Sequence, residues 1–443
     1  MFIGKTRRMT AVMWFRRDLR LADNPALLEA VRAGNGQVCG LFVLDPALWD
    51  AAGDPRRDHL VNSLKSLRDS MGGKLVVRRG DPARVVPELA DELGADSVHI
   101  AADHGPYGGR RDEAVEKALN CPLVVTGSAY AIAPGRVLNG SGRPYQVFTP
   151  YFRAWLDHGW RQPVDAPDGV QWIGKRGEAL PKAATREDAG EHAARDHWHH
   201  WLEGVADYDD ERDRPDLDST SRMSAPLKWG EVHPRTMLAD LAQLQSKGAE
   251  AYRRELAWRE FCADLLVQNP HAAWKPLRSE FEKMEYDEPD DAFAAWCEGK
   301  TGYPVVDAGM RQLAESGFMH NRIRMVVASF LVKDLHIHWK YGARWFMARL
   351  RDGDLASNSL NWQWVAGCGA DASPYFRIFN PVTQGKKFDP DGSYVRRWVP
   401  ELAGVDGKAV HEPWLLDGLD YPAPIVDHAE AREESLRRYA AIK

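Results

Sequence analysis

Between Phe318 and Trp364 the sequence places side chains at a spacing that a plain hydrophobic core has no use for. Asn321, Arg324 and Met325 stand at i, i+3 and i+4 within MHNRIRM. On an α-helix those offsets share one face, so an amide, a guanidinium and a thioether are presented together. Downstream, DGDLASN supplies Asp352, Asp354 and Asn358 around Gly353, which permits a tight turn. The acidic corner could meet the Arg324 face and make one polar site. Standing alone, Arg324 with Asp352 reads equally well as an ordinary structural ion pair.

YRRELAWREF repeats the device, with Glu255, Trp258 and Arg259 at i, i+3 and i+4. Two such helices can wall a cavity with a carboxyl for hydrogen bonding, an indole for stacking and a thioether as a compliant wall. STSRMS, Ser219 to Ser224, is a run of small hydroxyls with free backbone N–H groups, able to hold a pyrophosphate as a turn at a helix start does. Loops of that composition are also common without a ligand. Trp339, Trp345, Trp362 and Trp364, taken one at a time, are packing residues before they are anything else. In HWHHW, His197 to Trp201, ligands on one helix would need i, i+4 spacing, which only His192, Asp196 and His200 provide. The histidines read as solvated or capping groups, and no metal is assigned.

The elements that must position these groups fall into two kinds. Over residues 9–130, AVMWF, VCGLFVLD, KLVV, DSVHIA and PLVVT read as short buried strands, while PALLEAVRAG and DHLVNSLKSLRDSM carry the 3.6-residue period of helices. The alternation predicts an α/β domain with a doubly wound parallel sheet. It has no GxGxxG and no GxxxxGK, so it is not an obvious dinucleotide or triphosphate binder. Residues 131–194 weaken into Pro-, Gly- and charge-rich sequence around one short helical piece, YQVFTPYFRAWLDHGW, and read as an interdomain linker. From 195 to 443 the period is almost wholly helical, with loops expected at 209–220, 285–291 and 351–361 and a last helix near 427–440.

A chain of 443 residues is too long for one core. Its net charge of -6 speaks mildly against a polyanionic partner, yet residues 374–397 carry Arg377, Lys386, Lys387, Arg396 and Arg397 against two aspartates. Five scattered cysteines without a CxxC pair argue against a disulfide framework, a zinc site or an iron–sulfur cluster. No apolar run is long enough to span a bilayer and MFIGKTRRMT lacks a signal-type apolar stretch, so a cytoplasmic location is expected.

At these motifs the chain resembles the DNA photolyase and cryptochrome family, and within it the bacterial class I cyclobutane pyrimidine dimer photolyases with a deazaflavin-type antenna. The likeness runs through WFRRDLRLADNPAL (Trp14 to Leu27), WREF (Trp258 to Phe261), EGKTGYPVVDAGMRQL and PYFRIFNPVTQGKKFDPDGSYVRRW (Pro374 to Trp398). It implies an N-terminal antenna domain, a helical FAD domain, and light-dependent repair of pyrimidine dimers in DNA by a monomer. A cryptochrome-like FAD photosensor is the alternative, but it would need no pocket made of Glu255, Trp258 and Met325.

By this resemblance Tyr208, Thr220, Ser221, Met223, Ser224, Tyr252, Glu255, Arg259, Asn321, Arg324, Asp352, Asp354 and Asn358 surround a folded FAD. Arg324 would stabilise its anionic reduced form, and Asn358 would face N5. Tyr252 stands where relatives often carry tryptophan and keeps an aromatic wall. Glu255 would hydrogen-bond the damaged pyrimidine beside Trp258, with Asn321, Met325 and Trp364 lining the same pocket. Arg212, Arg322 and Arg377 would hold DNA phosphates. Tyr107, Gly108 and Lys228 match relatives whose antenna is 8-hydroxy-5-deazaflavin, with 5,10-methenyltetrahydrofolate as the alternative. Trp362 and Trp339 match the inner and middle members of an electron-transfer row. Tyr286 falls where the outer tryptophan is often found, with Glu285, Asp287 and Glu288 nearby as expected proton acceptors and Trp274 or Trp296 as rivals for the role.

Overall fold

Each of the five strand-like runs becomes a strand in a computed structural model that describes residues 9–185, 187–371 and 376–443. Pro374 and Tyr375, which open one of the motifs above, lie outside the described residues. Strands β1 (Ala11–Phe15), β2 (Gln37–Leu44), β3 (Val76–Arg79), β4 (Ser97–Ala102) and β5 (Leu123–Ser128) form a sheet in the order β3-β2-β1-β4-β5. All neighbours are parallel, and a short β6 (Gln171–Trp172) adds to β2 at Gln37 and Val38. Alternate residues of the strands feed two cores. Met13 and Phe15 point into one with Leu27 and Leu64; Val12 and Trp14 point into the other with Val86 and Ile100. The covering helices include α1 (Pro25–Ala33), α2 (Asp54–Ser70), α3 (Pro82–Leu93) and α4 (Pro106–Ala118). Helix α1 starts where Asn24 accepts from the Leu27 N–H at 3.2 Å and Pro25 presets the first turn. The strand order reverses between β1 and β4, which leaves a crevice at their C-terminal ends.

The chain forms two compact units. The first takes Met1–Pro144, Phe152–Gly204 and Arg222–Gln245; the second takes Tyr145–Tyr151, Val205–Ser221 and Ser246–Lys443. In the first unit α2 carries His59, whose Nε2 lies 3.0 Å from Glu231 and whose Nδ1 lies 3.4 Å from Glu187. Burial alone would lower this imidazole, but its hydrogen bonds to the two carboxylates prevail and raise it to about 9.

The second unit is helical. Its site is framed by α5 (Lys247–Gln268), α6 (Pro304–Ser316), α7 (Asn321–Ser329), α8 (Trp339–Arg349) and α9 (Leu355–Ala366), and α10 (His428–Ala441) closes the chain. Helices α5 and α7 both pack on α9. The loop expected at 351–361 is corrected: only its first residues are a turn, and α9 begins at Leu355 because the Asp354 carboxylate accepts from the Ser357 N–H at 3.0 Å. Part of the expected 209–220 loop is likewise a helical turn, Tyr208–Glu211. Helix α7 runs on into a π-helical stretch, Phe330–Asp334, that buries Lys333 and Asp334. Burial lowers the Lys333 ammonium to about 7, and it donates to the Arg377 carbonyl.

Among the described residues no helix is long and apolar enough to cross a membrane, and no group of three or more His, Cys, Asp or Glu is placed to hold a metal ion. All five cysteines are free.

Candidate functional site

Helix α5 turns Leu256, Ala257 and Phe261 into the core and leaves Glu255, Trp258 and Arg259 half-buried on one face, as the i, i+3, i+4 spacing requires. The Glu255 carboxylate meets the Arg212 guanidinium at 2.7 Å, with 29% and 28% of the two side chains exposed. Burial raises the Glu255 carboxyl above its ordinary range, and Arg212 opposes that shift. One face of the Trp258 indole stacks on Phe148, with centroids 3.7 Å apart and planes 9° from parallel. Phe148 sits in a stretch with an apolar pattern but no mark of a site, so nothing in the sequence singled it out.

One turn earlier on α5, the Tyr252 hydroxyl is 2.7 Å from Ser221 Oγ, and its ring meets Tyr208 edge-on at 5.3 Å. Next to Ser221, the Thr220 hydroxyl is buried with no hydrogen-bond partner among the described residues. Met223 and Ser224 belong to the first unit, Met223 buried and Ser224 opening a short helix, Ser224–Trp229.

Helix α7 starts at Asn321, capped by His320, whose Nδ1 accepts from the Arg322 N–H at 3.1 Å. Burial holds that imidazole neutral, lowered to about 4. Arg324 donates Nε–H to the Met319 carbonyl at 2.7 Å and Nη2–H to Asp352 at 2.9 Å. The sequence placed both partners, and the structure brings them together. The second Asp352 oxygen, Oδ1, is buried and unpartnered among the described residues. Met325 is half-buried beside Arg324, and Asn321 is exposed. On α9, Asn358 donates its amide to the Ala343 carbonyl at 3.0 Å, and Trp364 is half-buried with the Arg377 guanidinium 5.7 Å from its ring centroid. Arg322 pairs with Asp213 at 2.6 Å and lies over Phe388 at 4.3 Å. Asp213 was not foreseen; its place beside Arg212 was the available signal.

Across these helices two cations are held by part-exposed carboxylates, and two buried oxygens, of Thr220 and Asp352, lack partners among the described residues. Residues 11–168 match the family model for DNA photolyase, and residues 252–441 match the FAD binding domain of DNA photolyase. A deoxyribodipyrimidine photo-lyase of Streptomyces griseus is 44% identical over 95% of this chain and 97% of its own length. The chain belongs to the DNA photolyase family. Among solved members, a bacterial class III photolyase from Agrobacterium tumefaciens superposes with a TM-score of 0.92 at 38% identity, covering 100% of this chain and 99% of its own. An archaeal photolyase from Sulfolobus tokodaii, described with two FAD molecules and an implied light-harvesting cofactor, has a TM-score of 0.84 at 30% identity, covering 98% of this chain and 100% of its own.

The second unit fits the FAD that this family binds. The Thr220 hydroxyl and Asp352 Oδ1, unpartnered among the described residues, offer hydrogen-bonding capacity to a ligand, and Arg324 supplies a cation beside Asp352.

The antenna candidates of this photolyase-family chain share the first unit. Tyr107, in the first turn of α4, donates to the Asp45 carboxylate. Gly108 is needed there because a Cβ would stand 2.2 Å from the Asp103 carboxyl carbon. Burial alone would raise Asp103, but Arg17, Arg111 and Arg16 hold it down at about 2. The Lys228 ammonium lies 4.9 Å from the Trp229 ring centroid, and the Lys228 carbonyl accepts from Arg17 Nε at 3.3 Å.

In the second unit Trp362 is buried against Trp296 and Phe346, with centroids at 6.3 and 5.0 Å. Gly342 of α8 allows the approach, since a Cβ there would lie 2.2 Å from the Trp362 ring. Trp339 is 1% exposed and lies 5.6 Å from His338, which lies 4.6 Å from Tyr286. The Asp287 N–H donates to the His336 carbonyl at 2.9 Å and ties the two segments together. The carboxylates expected to take the Tyr286 proton are not on its hydroxyl. Asp287 faces Arg438 at 3.0 Å, and Glu288 accepts from Tyr341 at 3.2 Å. Of the rival tryptophans, Trp296 is wholly buried, while Trp274 is 62% exposed.

Proposed function

We propose that this protein is a deoxyribodipyrimidine photo-lyase, an FAD-containing lyase that uses light to split cyclobutane pyrimidine dimers in DNA. The observation that carries the reading is the half-buried face of α5, with Arg212 on the Glu255 carboxyl, in a chain 44% identical to a deoxyribodipyrimidine photo-lyase over 95% of its length. Bound in its reduced form, FAD would supply the light-absorbing one-electron donor, and the electron's return leaves no net oxidation.

The protein's own groups do the rest. A dimer inside a duplex has to be flipped out before a pocket can hold it, and photolyases are a standard example of enzymes that take a base out of the stack. Arg212, Arg322 and Arg377 take the flanking phosphates, contacts that ignore sequence and weaken steeply with salt. When a phosphate draws Arg212 away, Glu255 loses its counter-charge. Burial then favours the neutral acid, the form that donates a hydrogen bond to a pyrimidine carbonyl. Trp258, Met325 and Trp364 wall the pocket, and Asn321 lines it. Tyr208, Thr220, Ser221, Tyr252, Arg259 and Asp354 of the second unit would hold FAD, and the family resemblance adds Met223 and Ser224. Arg324, neutralised in part by Asp352, would supply a cation to the reduced flavin, and Asn358 would add its amide to the same site.

Within the family our reading assigns the chain to class I with an 8-hydroxy-5-deazaflavin antenna at Tyr107, Gly108 and Lys228; methenyltetrahydrofolate is the alternative. Trp362, Trp339 and Tyr286 form the row that reduces oxidised flavin in light. Chromophore released from protein made in a deazaflavin-producing host decides the antenna, and a folate there overturns the choice. Glu255→Ala tests the pocket. Flavin stays bound while repair yield falls about tenfold, because a buried hydrogen bond to substrate is lost. Unchanged repair under saturating light would remove Glu255 from the site.

A further inference from the structure

On the outer side of the Tyr286, His338, Trp339 row the second unit has a cavity of about 310 Å³, lined among others by Trp274, Lys275, Glu282, Tyr286, His338 and Lys340. None of its lining residues belongs to the FAD or dimer site described above. Its volume is that of a small-molecule pocket. Lys275, Lys340 and a single glutamate are among its lining residues; the Lys340 ammonium lies 5.1 Å from the Tyr341 ring centroid, and neither ammonium has an ion-pair partner among the described residues. The lining therefore favours a small anion. Trp274, more than half exposed, offers a flat wall against which a ring can lie. Tyr286 is half-buried and lines the cavity, and its hydroxyl makes no hydrogen bond within the described residues. His338 cannot serve as its base. The Nδ1 of His338 already accepts from the Lys340 N–H at 3.1 Å, and burial with Lys340 and Arg344 lowers the ring to about 4.

We propose that this cavity binds a small anionic reductant carrying both an electron and a proton, an enediolate of the ascorbate type, and delivers both to oxidised Tyr286. The proposal rests on the reading of Tyr286 as the outermost donor of the row. The electron leaves Tyr286 by way of Trp339 and Trp362, and bound oxidised flavin, excited by light, would supply its acceptor. Burial keeps the phenol protonated until then, so oxidation expels its proton, which passes to cavity water beside Glu282 and leaves a neutral oxygen radical. The bound monoanion breaks one enediol O–H bond and gives that proton and one electron to the tyrosyl oxygen. The tyrosine O–H bond re-forms, and the reductant departs as its radical anion. Charge and atoms balance, and the hole cannot return inward.

The test uses the holoprotein with oxidised flavin. Tyrosyl radical decay is followed by transient absorption at increasing ascorbate. The decay rate should rise and then level off as the cavity fills. In the Lys275→Glu/Lys340→Glu double variant half-saturation should move up by roughly tenfold or more, while decay with neutral hydroquinone stays within about twofold of the parent. Saturation-transfer NMR of ascorbate in the dark should give a signal with the parent that is lost in the double variant. A decay rate strictly proportional to ascorbate, with the same slope in both proteins and no dark signal, overturns the binding site while leaving Tyr286 as donor. A parent without a tyrosyl signal, or one whose radical spectrum survives Tyr286→Phe, overturns Tyr286 itself and the proposal with it.

Discussion

Two ion pairs, one from each unit, stand at opposite ends of exposure to water. In the first, His59 meets Glu231 at 3.0 Å with side chains 6% and 1% exposed; in the second, Arg212 meets Glu255 at 2.7 Å with 28% and 29% exposed. A pair sealed from water has nowhere to go, since separating it strands a charge in a poor dielectric. A half-wet pair gains little from staying together and can exchange its partner for a phosphate or a base at small cost. Arg322 with Asp213, at 18% and 36%, is of the second kind. Bidentate or close geometry is common to both units. Exposure, set by where the helix face lies, separates charge that holds the fold from charge that is available to a ligand.

The sharpest way to break this comparison is Glu231→Gln, which leaves the buried His59 with Glu187 alone. A loss of about 3–5 kcal/mol in unfolding free energy is expected, read by denaturant titration, with the flavin spectrum of the remaining folded protein unchanged. Almost as large is the pH effect of the same residue. Because the folded His59 is raised to about 9 from an ordinary 6.5, its stabilisation is complete below about pH 6.5 and is lost as pH rises through 9. On the order of 3 kcal/mol should disappear across that window in the parent, and His59→Gln should flatten it. Arg212→Ala probes the other kind of pair. Dimer-DNA binding should weaken about tenfold and the salt slope of log K should fall by about one, while unfolding free energy changes by less than about 1 kcal/mol. An Arg212→Ala protein as destabilised as Glu231→Gln would erase the distinction between the pairs.

Much of this was written in local spacing. The parallel sheet followed from alternating apolar runs, and the faces at Glu255/Trp258 and Arg324/Met325 followed from helical offsets, because both signals are properties of a single element. The misreadings arose where local chemistry pointed the wrong way. DGDLASN reads as a turn, yet Asp354 acts as a cap and the helix begins one residue later. Phe148 lies against Trp258 across more than a hundred residues, and no short-range pattern announces such a stack. The cavity beside Tyr286 is lined by residues from 274 to 286 together with His338 and Lys340, and the Asp287 N–H to His336 carbonyl bond next to it is again a long-range contact between unremarkable loops. The proton acceptors expected for Tyr286 were neighbours in sequence, but alternation along an extended segment and the pull of Arg438 turn Asp287 elsewhere.

The central claim is tested most directly by giving the purified holoprotein, with its flavin reduced, an oligonucleotide carrying one thymine dimer and counting intact dimers after illumination and after an equal time in the dark. The two thymines should be restored in light and not in the dark, with no consumption of the reduced flavin over many turnovers. Dimer loss that proceeds equally in the dark, or light that bleaches the flavin while every dimer remains, would contradict that claim.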